Sequence, residues 1–506
     1  MMTKYIKWTP EAGFDPAELE EAARIVREGG LVSFPTETVY GLGANGLVPE
    51  AARSIYEAKG RPSDNPLILH IAELGQLDGI VSRVPDIAKK LADVFWPGPL
   101  TMIFEKAACV PYDTTGGLDT VAVRMPAHEG ALAFLKAASV PVAAPSANVS
   151  GRPSPTRAEH VKEDLDGRID MVIDGGRVGI GLESTIVDLT GEVPVILRPG
   201  AITRQMLSDV VGEVVTDPAL MSVAPHAKPK APGMKYRHYA PRAKMIVFRG
   251  NQMEMADQIN KKLWEYCSDG VSRPEEVGIL ATEETAGLYP AGQVVTAGSR
   301  EKGTVGKFIY GTLRTFDELG VKLILSESFY GMEQEEAIMN RLLKAASTEM
   351  EKSNRKADSM DYDKVIFVSK ENISLSPMAE WIFKSILMDK SKEIVSRGLV
   401  VLFPEPRNMK VSDVLINHGI PHEDQVSVAF SSEEVTEGTL ILTMNFIEKV
   451  KVLEDFGIED NVYTINEFAG EEGEVLENHG NEDTYEASYV EIKDLLYKIK
   501  KKLQWT

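Results

Sequence analysis

Cysteine is nearly absent from this chain of 506 residues, which contains only Cys109 and Cys267. Two cysteines so far apart supply neither a metal-ligand pattern nor a disulfide framework, which is typical of a reducing compartment. No run of 18 uncharged apolar residues occurs, so we expect no membrane-spanning helix. The first residues, Met1 to Tyr5, lack the apolar core of a signal peptide. We therefore expect a cytoplasmic protein that has no membrane partner.

Basic residues are fewer than acidic ones, and the difference is larger in one part of the chain than in the other. The formal net charge is −21 at pH 7. From Asp361 onward, 28 acidic residues stand against 15 basic ones, which places −13 of that charge in the shorter, C-terminal part. An acidic surface repels nucleic acids and anionic membranes. We expect no tight binding of nucleic acid, although a local basic cleft nearer the N-terminus is compatible with these numbers.

Alternating helix and strand signals divide the chain into α/β domains. Residues 1–212 contain apolar strands such as Leu31–Phe34 and Val121–Arg124 between amphipathic helices, which predicts a mixed sheet. Residues 213–243 are rich in Pro, Lys and His and have the composition of a linker. Residues 244–350 predict a second, smaller α/β domain, and residues 360–506 predict a third. A length of this size also favours three domains.

Polar residues cluster where the apolar strands of the first domain end, which is where α/β sheets bind ligands. The cations in these positions are Lys59, Arg61, Arg124 and Arg198. Short hydrogen-bonding side chains accompany them at Ser146, Asn148 and Ser184. Arginine and lysine suit a ligand with several negative charges, such as ATP, because arginine binds phosphate oxygens in pairs. The pattern therefore predicts a phosphate-binding cleft in the first domain.

Other interpretations of single motifs remain open. A lone Lys-x-Arg pair is ordinarily a solvated surface pair, and Ser-x-Asn beside proline is ordinarily a turn. The glycines Gly41, Gly43 and Gly46 formally match the dinucleotide-binding fingerprint after a strand, which offers a Rossmann site as an alternative. No Gly-x-x-x-x-Gly-Lys-[Ser/Thr] sequence occurs, which excludes a Walker phosphate loop.

Taken in order, the motifs of the first domain resemble the YrdC-like family of threonylcarbamoyl-adenylate synthases. The family signature Lys-x-Arg…Ser-x-Asn is present as Lys59, Arg61, Ser146 and Asn148, and the resemblance covers about residues 10–210. The segment 232–241, Pro-Gly-Met-Lys-Tyr-Arg-His-Tyr-Ala-Pro, resembles the long form of the family. The resemblance implies a YrdC-like twisted mixed sheet, a smaller Rossmann-like α/β domain, and a linker that folds over the active site.

The resemblance implies a reaction in which L-threonine, bicarbonate or carbon dioxide, and ATP give threonylcarbamoyl-AMP and pyrophosphate. Mg²⁺ would enter with ATP, and a tRNA threonylcarbamoyl-transferase complex would receive the product. Threonine would be surrounded by Thr38, His70, Arg124, Ser184 and the backbone of Ala144. ATP would be surrounded by Lys59, Arg61, Asn65, Thr120, Ser146, Asn148, Ser154, Arg198, Tyr236 and His238. Lys59 and Arg61 would be catalytic through their charge, and we expect neither a covalent nucleophile nor a metal site made by the protein.

Two of these assignments have a structural alternative when the residues are considered alone. His70 follows an apolar strand and could be a histidine whose hydrogen bonds are satisfied within the core. The linker could be a simple tether, although its density of Lys, Arg, His and Tyr favours a lid that excludes water from a hydrolysable product.

The third domain resembles low-molecular-weight protein tyrosine phosphatases, whose phosphate loop needs Cys-x-x-x-x-x-Arg-[Ser/Thr]. Here Ser369 takes the place of the cysteine and Leu375 that of the arginine, whereas Asn372, Ser376 and Pro377 remain. A serine without an adjacent base is a poor nucleophile, and leucine cannot bind phosphate. The resemblance therefore implies a phosphatase-like α/β fold without phosphatase activity, retained for stability or for contacts, with a sensor of a phosphorylated ligand as the alternative.

Two alternative functions were weighed. The same fold can form carbamoyl-adenylate for carbamoyl transfer, but such proteins carry zinc-finger segments, which two cysteines cannot supply. A double-stranded RNA-binding module that uses the basic cleft is the second alternative, and the net charge argues against high affinity.

Overall fold

The computed structural model describes residues 2–217, 239–269, 271–332, 334–346, 362–389, 391–401, 403–436, 438–458, 461–471, 475 and 482–505. These residues fall into two units, one within residues 2–346 and one within residues 362–505. Three separate sheets are present, two in the first unit and one in the second. The two N-terminal α/β domains expected from the sequence thus pack together as one unit.

An eleven-stranded mixed sheet forms the first domain. Its strands are β1 (Lys4–Lys7), β2 (Val32–Phe34), β3 (Gly41–Asn45), β4 (Ile68–His70), β5 (Leu100–Glu105), β6 (Thr120–Arg124), β7 (Val142–Ala144), β8 (Met171–Asp174), β9 (Thr185–Asp188), β10 (Val195–Arg198) and β11 (Val215–Thr216). Their spatial order is β1-β8-β2-β3-β7-β4-β6-β5-β9-β10-β11. Because β4 pairs parallel with β6 and antiparallel with β7, the predicted mixed sheet is confirmed.

Helices cover both faces of this sheet. They are α1 (Pro16–Arg27), α2 (Pro49–Lys59), α3 (Asp86–Phe95), α4 (Tyr112–Thr115), α5 (Glu129–Ala138), α6 (Ala158–Leu165) and α7 (Arg204–Val211). Apolar residues of α1 and α5 pack on one face of the sheet, and those of α2, α3 and α6 pack on the other. Helix α1 begins at Pro16, because the Asp15 carboxylate accepts the backbone N–H groups of Ala17 and Glu18.

The glycine run after β2 is a strand and not a dinucleotide loop. Gly41 and Gly43 lie in β3, which pairs antiparallel with β2. A Cβ atom at Gly43 would come within 2.7 Å of the Val142 side chain and 2.9 Å of the Phe34 ring, so tight packing requires glycine there. The dinucleotide fingerprint needs a loop that opens a helix. The Rossmann interpretation of this motif is therefore wrong.

A smaller parallel sheet forms the second α/β domain. Its strands are β12 (Lys244–Phe248), β13 (Val277–Ala281), β14 (Gln293–Thr296) and β15 (Leu323–Glu327), in the order β12-β15-β13-β14. Its helices are α8 (Gln252–Tyr266), α9 (Val305–Leu319) and α10 (Glu335–Ala346). Helix α8 packs on one face, and α9 and α10 pack on the other. This is the predicted Rossmann-like arrangement.

The second unit is a parallel sheet with its own core. Its strands are β16 (Lys364–Ser369), β17 (Glu393–Gly398), β18 (Thr439–Thr443) and β19 (Val462–Thr464), in the order β17-β16-β18-β19. Its helices are α11 (Leu375–Ile386), α12 (Met409–Asn417), α13 (Phe446–Asp455), α14 (Ile465–Ala469) and α15 (Glu482–Leu503). Across the described ranges of the whole chain, no helix has both the length and the apolar character that crossing a membrane requires.

Candidate active site

A cleft with about 710 Å³ of empty space opens on the first domain, at the ends of several strands of the large sheet. Most of the residues that the sequence assigns to threonine and ATP line it. They are Thr38, Lys59, Arg61, His70, Arg124, Ala144, Ser146, Asn148, Ser154, Ser184 and Arg198. The folded chain thus brings together residues that are up to 160 positions apart. Thr38, Ser146 and Arg124 follow or end strands that lie close together in the sheet. The expectation of a strand end is wrong for Lys59 and Arg61, which end and follow helix α2.

Two of the four other predicted residues, Asn65 and Thr120, do not line the described cleft. Asn65 is buried, and its backbone oxygen accepts hydrogen bonds from the Arg61 guanidinium at 3.4 Å. Thr120 begins β6 and pairs with Glu105. The linker residues Tyr236 and His238 lie outside the described residues. For all four, contact with ATP stays a prediction.

The sequence did not single out every residue of the cleft. Glu183, Arg152 and Tyr239 also line it. Glu183 precedes the predicted residue Ser184, but nothing in the local pattern shows that its carboxylate would line the cleft. Tyr239 follows the linker residues that were chosen, and only the fold shows that its ring is buried at the cleft.

Lys59 is held at the C-terminal end of α2 with its charge inside the protein. Gly60 ends the helix in the left-handed conformation, and the Lys59 side chain is 1% exposed. Its Nζ donates hydrogen bonds to the backbone oxygens of Ser146 and Asn148. Burial and the neighbouring Arg61 lower the pKa of Lys59 well below its usual range. The side-chain nitrogen of Lys59 therefore links the Lys-x-Arg motif to the Ser-x-Asn motif by hydrogen bonds.

Arg61 and Arg198 are also held by oxygen atoms that carry no full charge. Arg61 Nη2 donates to the Pro66 backbone oxygen at 3.1 Å, and burial lowers the pKa of Arg61 to about 10. Arg198 Nε and Nη2 donate to the backbone oxygen and the Oγ atom of Ser184, both at 3.0 Å. Within the part of the chain that the structure describes, no carboxylate pairs with either arginine or with Lys59. The two guanidinium groups are thus available to an anionic ligand, and a bound anion would favour the charged form of Lys59.

Arg124 differs from those cations because it already has a carboxylate partner. Its Nη2 atom lies 2.6 Å from Glu37 Oε1, its Nη1 donates to Thr38 Oγ1 at 2.9 Å, and its Nε donates to the Gly98 backbone oxygen at 3.2 Å. Three of the five N–H groups are thereby used, and two remain for a ligand carboxylate.

His70 stays uncharged beside Arg124. Burial and the positive charge of Arg124 lower the pKa of His70 to about 3. One ring nitrogen, Nδ1, lies 3.1 Å from the Ile68 backbone oxygen. Because the imidazole is neutral, His70 can serve a substrate as a hydrogen-bonding group but brings no positive charge at neutral pH.

The loop between β7 and α6 is fastened to the second α/β domain through Asp164. The Asp164 side chain is fully buried and pairs with Arg152 of the loop and with Arg314 of α9, whose Nη2 lies 2.9 Å away. Asp164 Oδ2 also accepts the backbone N–H of Val149 at 3.2 Å. Arg314 in addition donates to the Pro153 backbone oxygen at 2.6 Å. The second domain therefore fixes the loop that carries the Ser-x-Asn motif.

A second contact between the two domains lies at the cleft itself. Glu183 accepts hydrogen bonds from Tyr310 of α9 and Arg341 of α10, at 2.7 Å and 3.2 Å. The rings of Tyr239 and Tyr310 stack with their centroids 5.1 Å apart. The second domain thus contacts Glu183 and Tyr239 of the cleft, although none of its described residues belongs to the lining.

The phosphatase-like loop of the other unit has the shape of a phosphate loop but lacks its reactive groups. Ser369 ends β16, and its Oγ lies 2.6 Å from Ser376 Oγ and accepts the backbone N–H of Asn372 at 3.2 Å. Asn372 adopts a positive φ of 58°. Among the described hydrogen bonds of Ser369, none joins it to a basic side chain. Leu375 is buried in the core. The loop thus has neither an activated nucleophile nor a guanidinium for phosphate.

Comparisons with family models divide the chain in the same way. Residues 24–200 match the model described as "Telomere recombination", and residues 202–347 match "Threonylcarbamoyl-AMP synthase, C-terminal domain". Residues 364–505 match "Low molecular weight phosphotyrosine protein phosphatase".

Similar whole proteins cover the first two domains. The threonylcarbamoyl-AMP synthase of Bacillus subtilis is 47% identical over 350 residues, which are 68% of this chain and 98% of that protein. The synthase of Pyrococcus abyssi is 47% identical over 328 residues, 64% of this chain and 93% of that protein. The crystal structure of P. abyssi Sua5 complexed with L-threonine aligns with a TM-score of 0.64 at 44% identity, covering 69% of this chain and 99% of that one. From these matches, the chain belongs to the threonylcarbamoyl-AMP synthase family, with a phosphatase-like unit attached.

Proposed function

We propose that the chain converts L-threonine, bicarbonate or carbon dioxide, and ATP into threonylcarbamoyl-AMP and pyrophosphate. The observation that carries the proposal is the set of three cations, Lys59, Arg61 and Arg198, that line one cleft without a carboxylate partner among the described residues. Such unpaired charge suits the triphosphate of ATP. Membership of the synthase family supports the same conclusion.

The reaction divides naturally between two ends of the cleft. At one end, Arg124 and Thr38 would bind the threonine carboxylate, while its amine attacks the carbon of carbon dioxide to give N-carboxy-threonine. The new carboxylate then attacks the α-phosphorus of ATP, and the bond to pyrophosphate breaks. Lys59, Arg61 and Arg198 would stabilise the charge that develops on the phosphate oxygens. This makes the protein a nucleotidyltransferase that acts by positioning and charge.

Mg²⁺ belongs to this proposal as a companion of ATP. Among the described residues no group of three or more His, Cys, Asp or Glu side chains is placed to hold a metal ion. The carboxylate that lines the cleft, Glu183, is already bonded to Ser154, Tyr310 and Arg341. We therefore propose that phosphate oxygens and water bind the ion, whose chemistry is to neutralise the departing pyrophosphate.

The product and the location follow from the same chemistry. Threonylcarbamoyl-AMP would be handed to a tRNA threonylcarbamoyl-transferase complex in the cytoplasm. Neither Cys109 nor Cys267 forms a disulfide in the described part of the chain, as a reducing compartment allows. The RNA-binding alternative is not favoured, because Lys59, Arg124 and Arg198 are buried and not presented on an open surface.

The test is a pyrophosphate assay on the full chain with MgATP, L-threonine and bicarbonate. We expect release that requires both threonine and bicarbonate, because N-carboxy-threonine is the nucleophile. L-Serine and L-valine serve as controls for the amino acid, and GTP serves as the control for the nucleotide. Pyrophosphate release that is independent of threonine in a folded protein contradicts the proposal.

The phosphatase-like unit is expected to be inactive towards phosphate esters. Because Ser369 lacks a base and Leu375 replaces the guanidinium, p-nitrophenyl phosphate should be hydrolysed no faster than by buffer. Ser369→Ala and the exposed Ser391→Ala are a matched pair. Hydrolysis that Ser369→Ala abolishes and Ser391→Ala leaves intact would show that the loop is catalytic.

A further inference from the structure

A carboxylate lies in the cleft to which we assign ATP. Glu183 lines the cleft, and its side chain is 8% exposed. A negative charge in a desolvated site repels the triphosphate, since charge interactions are only weakly screened away from water. The cleft can bind ATP well only where that charge is compensated.

The compensation comes from the second α/β domain. Glu183 Oε2 accepts Tyr310 Oη at 2.7 Å and lies 3.2 Å from Arg341 Nε, while Oε1 accepts Ser154 Oγ at 2.6 Å. Burial alone would raise the pKa of Glu183, but Arg341 and Arg198 outweigh burial and hold the pKa at about 2. The carboxylate is therefore charged, and its ion-pair partner is Arg341.

The contacts of Arg341 hold its side chain at Glu183 and outside the cleft. Its side chain is 1% exposed, and Nη1 donates to the Pro199 backbone oxygen at 2.5 Å and contacts the Ala337 oxygen at 3.5 Å. Arg341 does not belong to the lining of the cleft, whereas Arg198 does. Arg198 instead donates its hydrogen bonds to Ser184, although its charge also helps to lower the pKa of Glu183.

We infer that Arg341 of the second α/β domain is a positioning residue for ATP, which acts by neutralising Glu183 so that the cleft presents net positive charge to the triphosphate. The inference rests on the proposed function, since it concerns the same cleft. It assigns to the second domain a direct electrostatic contribution to the site in addition to its structural contacts.

The test uses Arg341→Gln, Glu183→Gln and the double variant in the full chain. ATP affinity is measured by calorimetry with MgATP in the absence of threonine, and KM values for ATP and threonine are measured separately. Arg341→Gln leaves an unpaired carboxylate, and we expect ATP affinity to fall about tenfold or more. The KM for threonine should change much less. The double variant removes both charges, and we expect it to bind ATP within about threefold of the original protein.

Rescue by the second substitution is the decisive result, because a merely structural contact predicts the opposite. If Arg341 only holds the two domains together, the double variant binds ATP as weakly as Arg341→Gln or more weakly, and the inference is wrong. Arg314→Gln is the matched control, because Arg314 is also buried on the second domain but pairs with Asp164. Glu183→Gln should not rescue Arg314→Gln.

Further measurements distinguish a failure of the inference from a folding defect and from a failure of the proposed function. Thermal unfolding and circular dichroism show whether Arg341→Gln folds. If it does not fold, the ATP affinity is measured instead on Arg341→Lys, which keeps the charge, and on the double variant. Arg341→Lys should retain ATP affinity within about threefold, and a larger loss contradicts the inference. If the original protein binds ATP but releases no threonine-dependent pyrophosphate, the proposed function fails. If it turns over but Glu183→Gln gives no rescue, only the inference fails.

Discussion

Replacing Lys59 by methionine should lower the rate of pyrophosphate release by about 100- to 1,000-fold. The ammonium group ties the backbone at Ser146 and Asn148 to the end of α2, and it is one of the three unpaired cations of the cleft. Methionine keeps the length of the side chain but removes both the charge and the two hydrogen bonds. The rate of the single turnover should therefore fall more than the affinity for threonine.

The exposed Lys89 offers a matched control for Lys59. Its side chain is 63% exposed and pairs with Asp86 on the surface, so Lys89→Met should leave turnover within about twofold of the original. Single-turnover and steady-state measurements at saturating ATP and threonine give the rates. Turnover of Lys59→Met at more than a tenth of the original rate would show that the charge is not needed for the chemistry.

Replacing Asp164 by alanine should lower the free energy of unfolding of the first unit by about 3–5 kcal/mol. The Asp164 side chain is fully buried between Arg152 and Arg314, whose side chain is 1% exposed. Removing the carboxylate leaves buried guanidinium charge without its partner, and the Val149 N–H loses its acceptor. Such losses are large because the remaining charge cannot be solvated.

Urea unfolding followed by tryptophan fluorescence and circular dichroism measures this effect. The two units can unfold separately, so the transition of the first unit is identified with a chain that ends before the phosphatase-like unit. Asp86→Ala is the control, because Asp86 is 91% exposed and should change the free energy of unfolding by less than about 0.5 kcal/mol. A loss below about 1 kcal/mol for Asp164→Ala would mean that the network is not important for stability.

Much of the fold and of the cleft could be predicted because it depends on local patterns. The apolar runs Leu31–Phe34 and Val121–Arg124 form strands β2 and β6, as their composition predicts. The position of Lys59 and Ser146 in one cleft follows from the family resemblance, because Lys59 ends a helix and not a strand.

What the sequence did not predict depends on long-range contacts between side chains. Glu183 and Arg341 are 158 positions apart, and no periodicity or motif connects them. Strand β3 was missed because its glycines are typical of a loop, whereas the packing of Phe34 and Val142 requires them in a strand. Tyr239 was passed over because only its stacking on Tyr310 places it at the cleft.

The pairing of Glu183 with Arg341 also has an evolutionary consequence. The two charges reside in different domains. Without the second domain, the Glu183 carboxylate would remain in the cleft without its ion-pair partner. A chain without the second domain would need an uncharged residue or another cation at this place to keep the same charge in the cleft. The ion pair thus makes the residue suited to position 183 of the first domain depend on the presence of the second domain.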